Sequence, residues 1–309
     1  MTESLASQIA NIINKDEILS ILSPYIDADL PANDPQAKKW LRQRRNGIIH
    51  LIFNNIKKRY AQNIRGRTHA EVKVHYETNY AKLNAGGGYY TPRGKPVTYT
   101  YNNHVLKMQG DGLHLAMAEI ILRVLRVINP DSVCDVGCGF GQSSAFLGAY
   151  YPYAAFNAFD LSHNAIKKAN EAKTYGAKAL GLPDTYGQLN AQQLQRINAI
   201  NYFQSSASDL SAIDDNAFDV IYSTASLEQM CTILPEVLSE LHRVTKRYAI
   251  FCEPFWEANT PLERVFLWSQ NYFRQDMAYM EHHGFKLVTM IDLPVKPTFA
   301  YSVMIAEII

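Results

Sequence analysis

Val133-Cys134-Asp135-Val136-Gly137-Cys138-Gly139-Phe140-Gly141-Gln142 reads as a short apolar strand carrying one acid, three glycines at alternate positions, and the opening of a helix through Ser143, Ser144, Ala145, Phe146 and Leu147. Only residues without a Cβ atom can make so tight a strand-to-helix turn and let a ligand lie against the main chain. The stretch is expected to be a loop for a nucleotide-type ligand.

On either side of it the pattern alternates. A helix is expected from Asp111 or Gly112 to Val127, then strand 132–137, helix 141–150, strand 156–161, helix 162–174, and strands near 201–206 and 218–223. Helix 233–246, strand 248–253, helix 260–283 and strands 285–292 and 299–308 follow, with a loop and short helix inserted at 175–200. Such alternation predicts an α/β fold: a Rossmann-like, doubly wound, mostly parallel seven-stranded sheet with its ligand beyond the carboxyl ends of the strands. Only Pro294-Val295-Lys296-Pro297-Thr298 and its flanks join the last two strands. That is too short for a parallel crossover, so the last strand is expected antiparallel, in an edge hairpin.

The first 110 residues are different. Apolar residues at Leu5, Ile9, Ile12, Ile13, Ile18, Leu19 and Leu22 predict a helix over 5–23. Asp34-Pro35 opens a second, to about residue 63, whose other face is basic through Lys38, Lys39, Arg42, Arg44, Arg45, Lys57, Lys58 and Arg59. From Tyr76 to Asn103 tyrosine, glycine and proline replace any periodicity, which reads as an ordered, irregular lid. The expected organisation is a helical cap with a tyrosine-rich lid over 1–110 and the α/β domain over 111–309.

Composition narrows the class. At 309 residues and 47% apolar the chain can bury a substantial core. No run is apolar enough for a membrane helix, and the first residues lack a secretory signal, so a cytoplasmic location is expected. Cys134, Cys138, Cys231 and Cys252 are spaced neither as a disulfide framework nor as a zinc site and read as reduced. His282-His283 before Gly284 reads as a helix end, and no metal is expected. The net charge of +1 hides a split, with 16 Lys and Arg against 8 Asp and Glu through residue 110 and 14 against 21 thereafter.

A dinucleotide fingerprint would be G-x-G-x-x-G, whereas the glycines at 137, 139 and 141 give G-x-G-x-G with Asp135 close by. A carboxylate there is awkward for a pyrophosphate and acceptable for a sulfonium or ammonium ligand. Asp160 ends the next strand, where it can accept from ribose hydroxyls. Asp209-Leu210 follows the third, where an acid and an apolar side chain suit adenine.

These residues resemble the class I S-adenosylmethionine-dependent methyltransferases. Asp135-x-Gly137-x-Gly139-x-Gly141 is similar to that family's first motif, Asp160 to its ribose acid, Asp209 to its adenine acid, and Phe218 to Ser223 to its fourth strand. Ser226 to Met230 and Arg243 to Lys246 are similar to later segments, so the likeness spans about 130 to 260. Many small-molecule members have a histidine where Gln229 stands. The resemblance implies S-adenosylmethionine as cofactor, bound by Asp135, Gly137, Cys138, Gly139, Gly141, Asp160, Leu161, Asp209, Leu210 and Ser223.

Methyl transfer chiefly requires positioning and exclusion of water. Catalytic candidates are Glu228 and Gln229 after the fourth strand, Glu253 after the fifth, and Tyr76 and Tyr80 from the lid, with Trp256, Tyr89 and Tyr90 nearby. The leading expectation is transfer to an N, O or C atom of a small metabolite. One alternative is cyclisation or aminobutyryl transfer releasing methylthioadenosine, with the cofactor as the single substrate. Another is RNA methylation using the basic arm, although the aromatics do not interleave with the basic residues as a stacking platform requires.

Overall fold

The protein is seen in a computed structural model, which describes residues 4–62, 69–81, 96–108, 110–173, 188–293, 295–297 and 299–309. The N-terminal part begins with α1 (Leu5–Ile12) and α2 (Lys15–Leu22). The single helix expected over 5–23 is broken because Asn14 caps α2, its side chain accepting from the Asp16 and Glu17 amides. Strand β1 (Ile26–Pro31) leads to the long α3 (Pro35–Gln62) and then α4 (His69–Ala81).

Strands β2 (Val97–Tyr101) and β3 (His104–Met108) form a hairpin, and the small sheet has the antiparallel order β1-β3-β2. This corrects the expectation of an irregular stretch over 76–103. Tyr76 to Ala81 belong to α4, and residues 97–101 are a strand whose tight turn is made by Asn102 at φ 46°. Residues 82–95, including Tyr89 and Tyr90, lie outside the described residues.

After α5 (Gly110–Ile128) come β4 (Ser132–Val136), α6 (Gln142–Tyr150), β5 (Ala155–Asp160), α7 (His163–Ala172), α8 (Ala191–Ala199), β6 (Asn201–Gln204) and β7 (Phe218–Thr224). Helix α9 (Leu234–Val244) and β8 (Thr245–Glu253) precede α10 (Pro261–Gln270), α11 (Met277–His282), β9 (Phe285–Asp292) and β10 (Ser302–Ile308). The sheet is seven-stranded in the order β6-β5-β4-β7-β8-β10-β9. The first five are parallel and β10 runs antiparallel to both neighbours. The helix expected over 260–283 is two, parted at Asn271, whose left-handed φ of 58° ends α10.

Strands β4 and β7 are buried along most of their length, as central parallel strands covered on both faces must be. One core cluster joins α5 and α6 to this sheet, and α1 and α2 pack on α5. A second cluster fills the opposite face beneath α9. Helix α3 lies against α10 through Ile48, Ile52 and Phe266. Arg44 ties the same helix to β2 and to the 295–297 segment by donating to the carbonyls of Thr98 and Lys296, each at 3.3 Å. The basic helix is thus tied to the body by at least one of its own cations.

Candidate active site

A cavity of about 480 Å³ opens where β4, β5 and β7 end. The reversal of strand order around β4 makes this the crevice in which a doubly wound sheet takes its ligand. Gly137, Gly139 and Gly141 have φ of 72°, 54° and 81°, values open to glycine and costly to other residues. The amides of Gly137 and Cys138 both donate to the Phe159 carbonyl at 2.9 Å, pulling the loop onto β5. A Cβ at Gly137 would lie 2.7 Å from Cβ of Ser226, and one at Gly141 2.5 Å from the Tyr202 hydroxyl.

Asp160 completes this half of the wall. Its Oδ2 accepts from the Gly139 amide at 2.9 Å and its Oδ1 from the Ser162 amide at 2.8 Å. Burial raises its pKa, and the nearby Glu77 charge adds to the rise. Asp135 is not on the wall. It is 1% exposed beneath the loop, where its Oδ2 accepts from Ser144 at 2.5 Å and Tyr222 at 2.7 Å, while its Oδ1 is buried without a protein partner. Burial pushes this carboxyl up to about 6.

The opposite half follows β7. Glu228 is 8% exposed and on the wall; its Oε2 accepts from the Tyr301 hydroxyl at 2.8 Å and its Oε1 from the Gln229 side chain at 3.0 Å. Glu253 lies behind it, wholly buried. Its Oε1 accepts from the Ser223 hydroxyl and from the Ser226 and Leu227 amides, and its Oε2 accepts from the Glu228 amide. Burial pushes Glu253 up to about 8, with the Glu228 charge adding to it and these hydrogen bonds opposing. Its position makes it a clamp on the 223–228 turn rather than a group in the cavity.

Of the sequence candidates, the structure brings Gly137, Cys138, Gly139, Asp160, Leu161, Tyr76, Glu228 and Gln229 to one wall. Asp135, Gly141, Leu210, Ser223 and Glu253 lie off it, and the Tyr80 side chain is outside the described residues. Asp209 is exposed and ties Ser211 through its amide and hydroxyl, a local turn; Ser205 and Ala207 stand on the wall instead. Trp256 is half-exposed under the Arg264 guanidinium. His283 bonds the Tyr279 carbonyl at a helix end.

Sequence reasoning missed His114 and Tyr301, both on the wall. His114 sits near the start of α5, where a lone histidine in an apolar helix gives no spacing signal. Its ring is water-accessible from the cavity, yet the surrounding protein lowers its pKa by burial. Among the described residues no cluster of His, Cys, Asp and Glu could hold a metal, no helix could cross a membrane, and all four cysteines are free thiols.

Residues 134–252 match the family described as a methyltransferase domain. No curated protein sequence matches the chain. Among solved structures, the magnesium protoporphyrin IX methyltransferase of Synechocystis PCC 6803 with bound SAH is 16% identical with a TM-score of 0.45, over 63% of this chain and 83% of that one. The geranyl diphosphate C-methyltransferase of Streptomyces coelicolor A3(2) is 12% identical with a TM-score of 0.47, over 79% of this chain and all of that one. A SAM-dependent methyltransferase of Aquifex aeolicus is 17% identical with a TM-score of 0.40, over 58% and 82%. Likeness at this level concerns the fold alone. The matched segment, residues 134–252, is a methyltransferase domain, and S-adenosylmethionine is the cofactor that such a domain uses.

Proposed function

We propose that the cavity holds S-adenosylmethionine along the Gly137–Gly141 loop and Asp160, and that its methyl group passes to a small molecule seated between Glu228, Tyr301 and α4. The observation that carries this reading is the single wall shared by the glycine loop, Asp160 and Glu228. The loop suits the cofactor because Gly137 and Gly139 present bare backbone to the wall. Asp160 supplies carboxylate oxygens for the ribose, and Ser205 and Ala207 border the adenine end. Asp135 acts from below, bracing the loop by accepting from Ser144 of α6 and Tyr222 of β7.

Bound, the cofactor supplies an electrophilic methyl carbon on a sulfonium. The chain's own task is orientation and dryness. Phe140, Phe146, Met117 and Tyr76 give the cavity an apolar lining, and the clamp of Glu253 on the Glu228 turn fixes the acceptor side before any ligand arrives. In this reading residues 1–110 are the cap, since α4 contributes Val72, Lys73 and Tyr76 to the wall. The cavity's volume of about 480 Å³ falls within the range of single-ligand sites, about 300–1,000 Å³.

The test is incubation with S-adenosylmethionine alone, then with metabolite pools, reading products by mass. S-adenosylhomocysteine formed only with an added acceptor supports methyl transfer. Methylthioadenosine formed from the cofactor alone overturns it in favour of cyclisation or aminobutyryl transfer.

A further inference from the structure

Resting on that reading of the cavity, we propose that the acceptor is an amine that enters as its ammonium form, is received by the Glu228 carboxylate, and gives up its proton to His114. The first ground is charge. Among the described residues the wall carries two carboxylates, Asp160 and Glu228, and one Lys or Arg, the exposed Lys73. A carboxylate or phosphate acceptor would enter facing the like charge of Glu228, which is repulsive in a partly desolvated site.

The second ground is position. Asp160 ends β5 and Glu228 follows β7, with β4 between them in the sheet. The glycine loop binds Asp160 directly through the Gly139 amide, so Asp160 belongs to the cofactor side. Glu228 is on the other side and is held ready: the Tyr301 hydroxyl and the Gln229 amide fix its oxygens, and Glu253 fixes its backbone. A negative charge built this firmly, almost wholly buried, suits a cationic partner. Tyr76 and Phe140 on the same wall add aromatic faces that attract a cation.

The third ground is how charge moves during the transfer. The ammonium loses a proton to the His114 imidazole, and the nitrogen lone pair forms the N–C bond as the C–S bond breaks, its electrons staying on sulfur. The products are a neutral thioether, an N-methylammonium and an imidazolium that releases its proton to solvent. Positive charge therefore migrates from sulfur toward nitrogen, next to Glu228, and the carboxylate stabilises the transition state more than the neutral amine. A phenol or alcohol would have to become anionic beside the same carboxylate before attacking. His114 stands on the same wall with its side chain exposed, and a neutral imidazole there has a nitrogen lone pair for the proton.

The experiment uses the full chain loaded with S-adenosylhomocysteine, titrated calorimetrically at pH 7.5 with phenethylamine and putrescine against 2-phenylethanol and 1,4-butanediol. The amines are expected to bind at least about tenfold more tightly than the alcohols. Glu228→Gln is expected to remove that preference and Glu228→Asp, which keeps the charge, to retain it, with folding of each checked by thermal melting. His114→Asn is expected to leave amine affinity within about threefold while slowing single-turnover methylation about 100-fold. Equal affinity for amines and alcohols, no amine binding, or a preference that survives Glu228→Gln in a folded protein overturns the inference. Failure to bind S-adenosylmethionine at all overturns the underlying cofactor reading instead.

Discussion

Glu77 and His163 stand 86 positions apart in the chain, yet the His163 amide donates to the Glu77 Oε1 at 2.7 Å. The Glu77 Oε2 also accepts from the Ser162 hydroxyl and from the Asn164 amide and side chain. An acid from α4 thereby caps the first turn of α7, next to Asp160, and latches a helix that carries part of the cavity wall. Burial works against its charge, but the bonds from His163, Asn164 and Ser162 prevail and hold Glu77 below the usual carboxylate range. Such a group stabilises the latch above its unfolded pKa of about 4.3, and the stabilisation is lost as pH falls through the lower folded value. Glu77→Gln is expected to weaken the latch by about 1 kcal/mol, read as faster hydrogen exchange over 69–81 at pH 7 and a several-fold rise in the Kd for S-adenosylmethionine. Unchanged exchange would remove the latch.

Asp160→Ala takes away the acceptor of the Gly139 and Ser162 amides and the carboxylate on the wall. The expected result is at least about a tenfold loss of S-adenosylmethionine affinity by calorimetry. Unaltered affinity would move the cofactor elsewhere.

Glu253 gives a pH signature of opposite sign. Its folded pKa of about 8 lies above the unfolded value of about 4.3. Its contribution to stability is therefore fully present below that unfolded value and is lost as pH rises through 8. The melting temperature is expected to fall by on the order of 3 °C between pH 6 and 9. Glu253→Gln should flatten that slope; a variant with the wild-type slope would assign it to another group.

Gly141→Ala combines a φ of 81° with a Cβ placed 2.5 Å from the Tyr202 hydroxyl. A loss of about 2–3 kcal/mol is expected in urea denaturation. With Tyr202→Ala already present the clash is gone, and the remaining cost should be about 1 kcal/mol of backbone strain. Equal losses in the two backgrounds would count against the clash.

The glycine loop, Asp160 and the β/α alternation were legible because their signals are local: glycine at alternate positions after an apolar run, and an acid at a strand end. The β1-β3-β2 sheet was missed although Val97-Thr98-Tyr99-Thr100-Tyr101 alternates and Asn102-Asn103 is a tight-turn pair, because the tyrosines were weighed as lid aromatics. Glu253 read as a catalytic candidate, since its type and strand end could not reveal that four donors behind the wall would surround it. Asp209 could not be told from a turn acid by type alone. Glu77 was invisible for a different reason: its partners are 85 to 87 residues away, and no periodicity encodes such a distance.

The small sheet meets the far end of the chain at one place, where Thr100 and Lys296 exchange backbone hydrogen bonds in both directions at 3.0 Å. Arg44 reaches the same Lys296 carbonyl. A ribosome delivers Thr100 nearly two hundred residues before Lys296, so its outward amide and carbonyl go without these partners through most of synthesis. This one tie between the small sheet and the 295–297 segment therefore cannot form until almost the whole chain has been made.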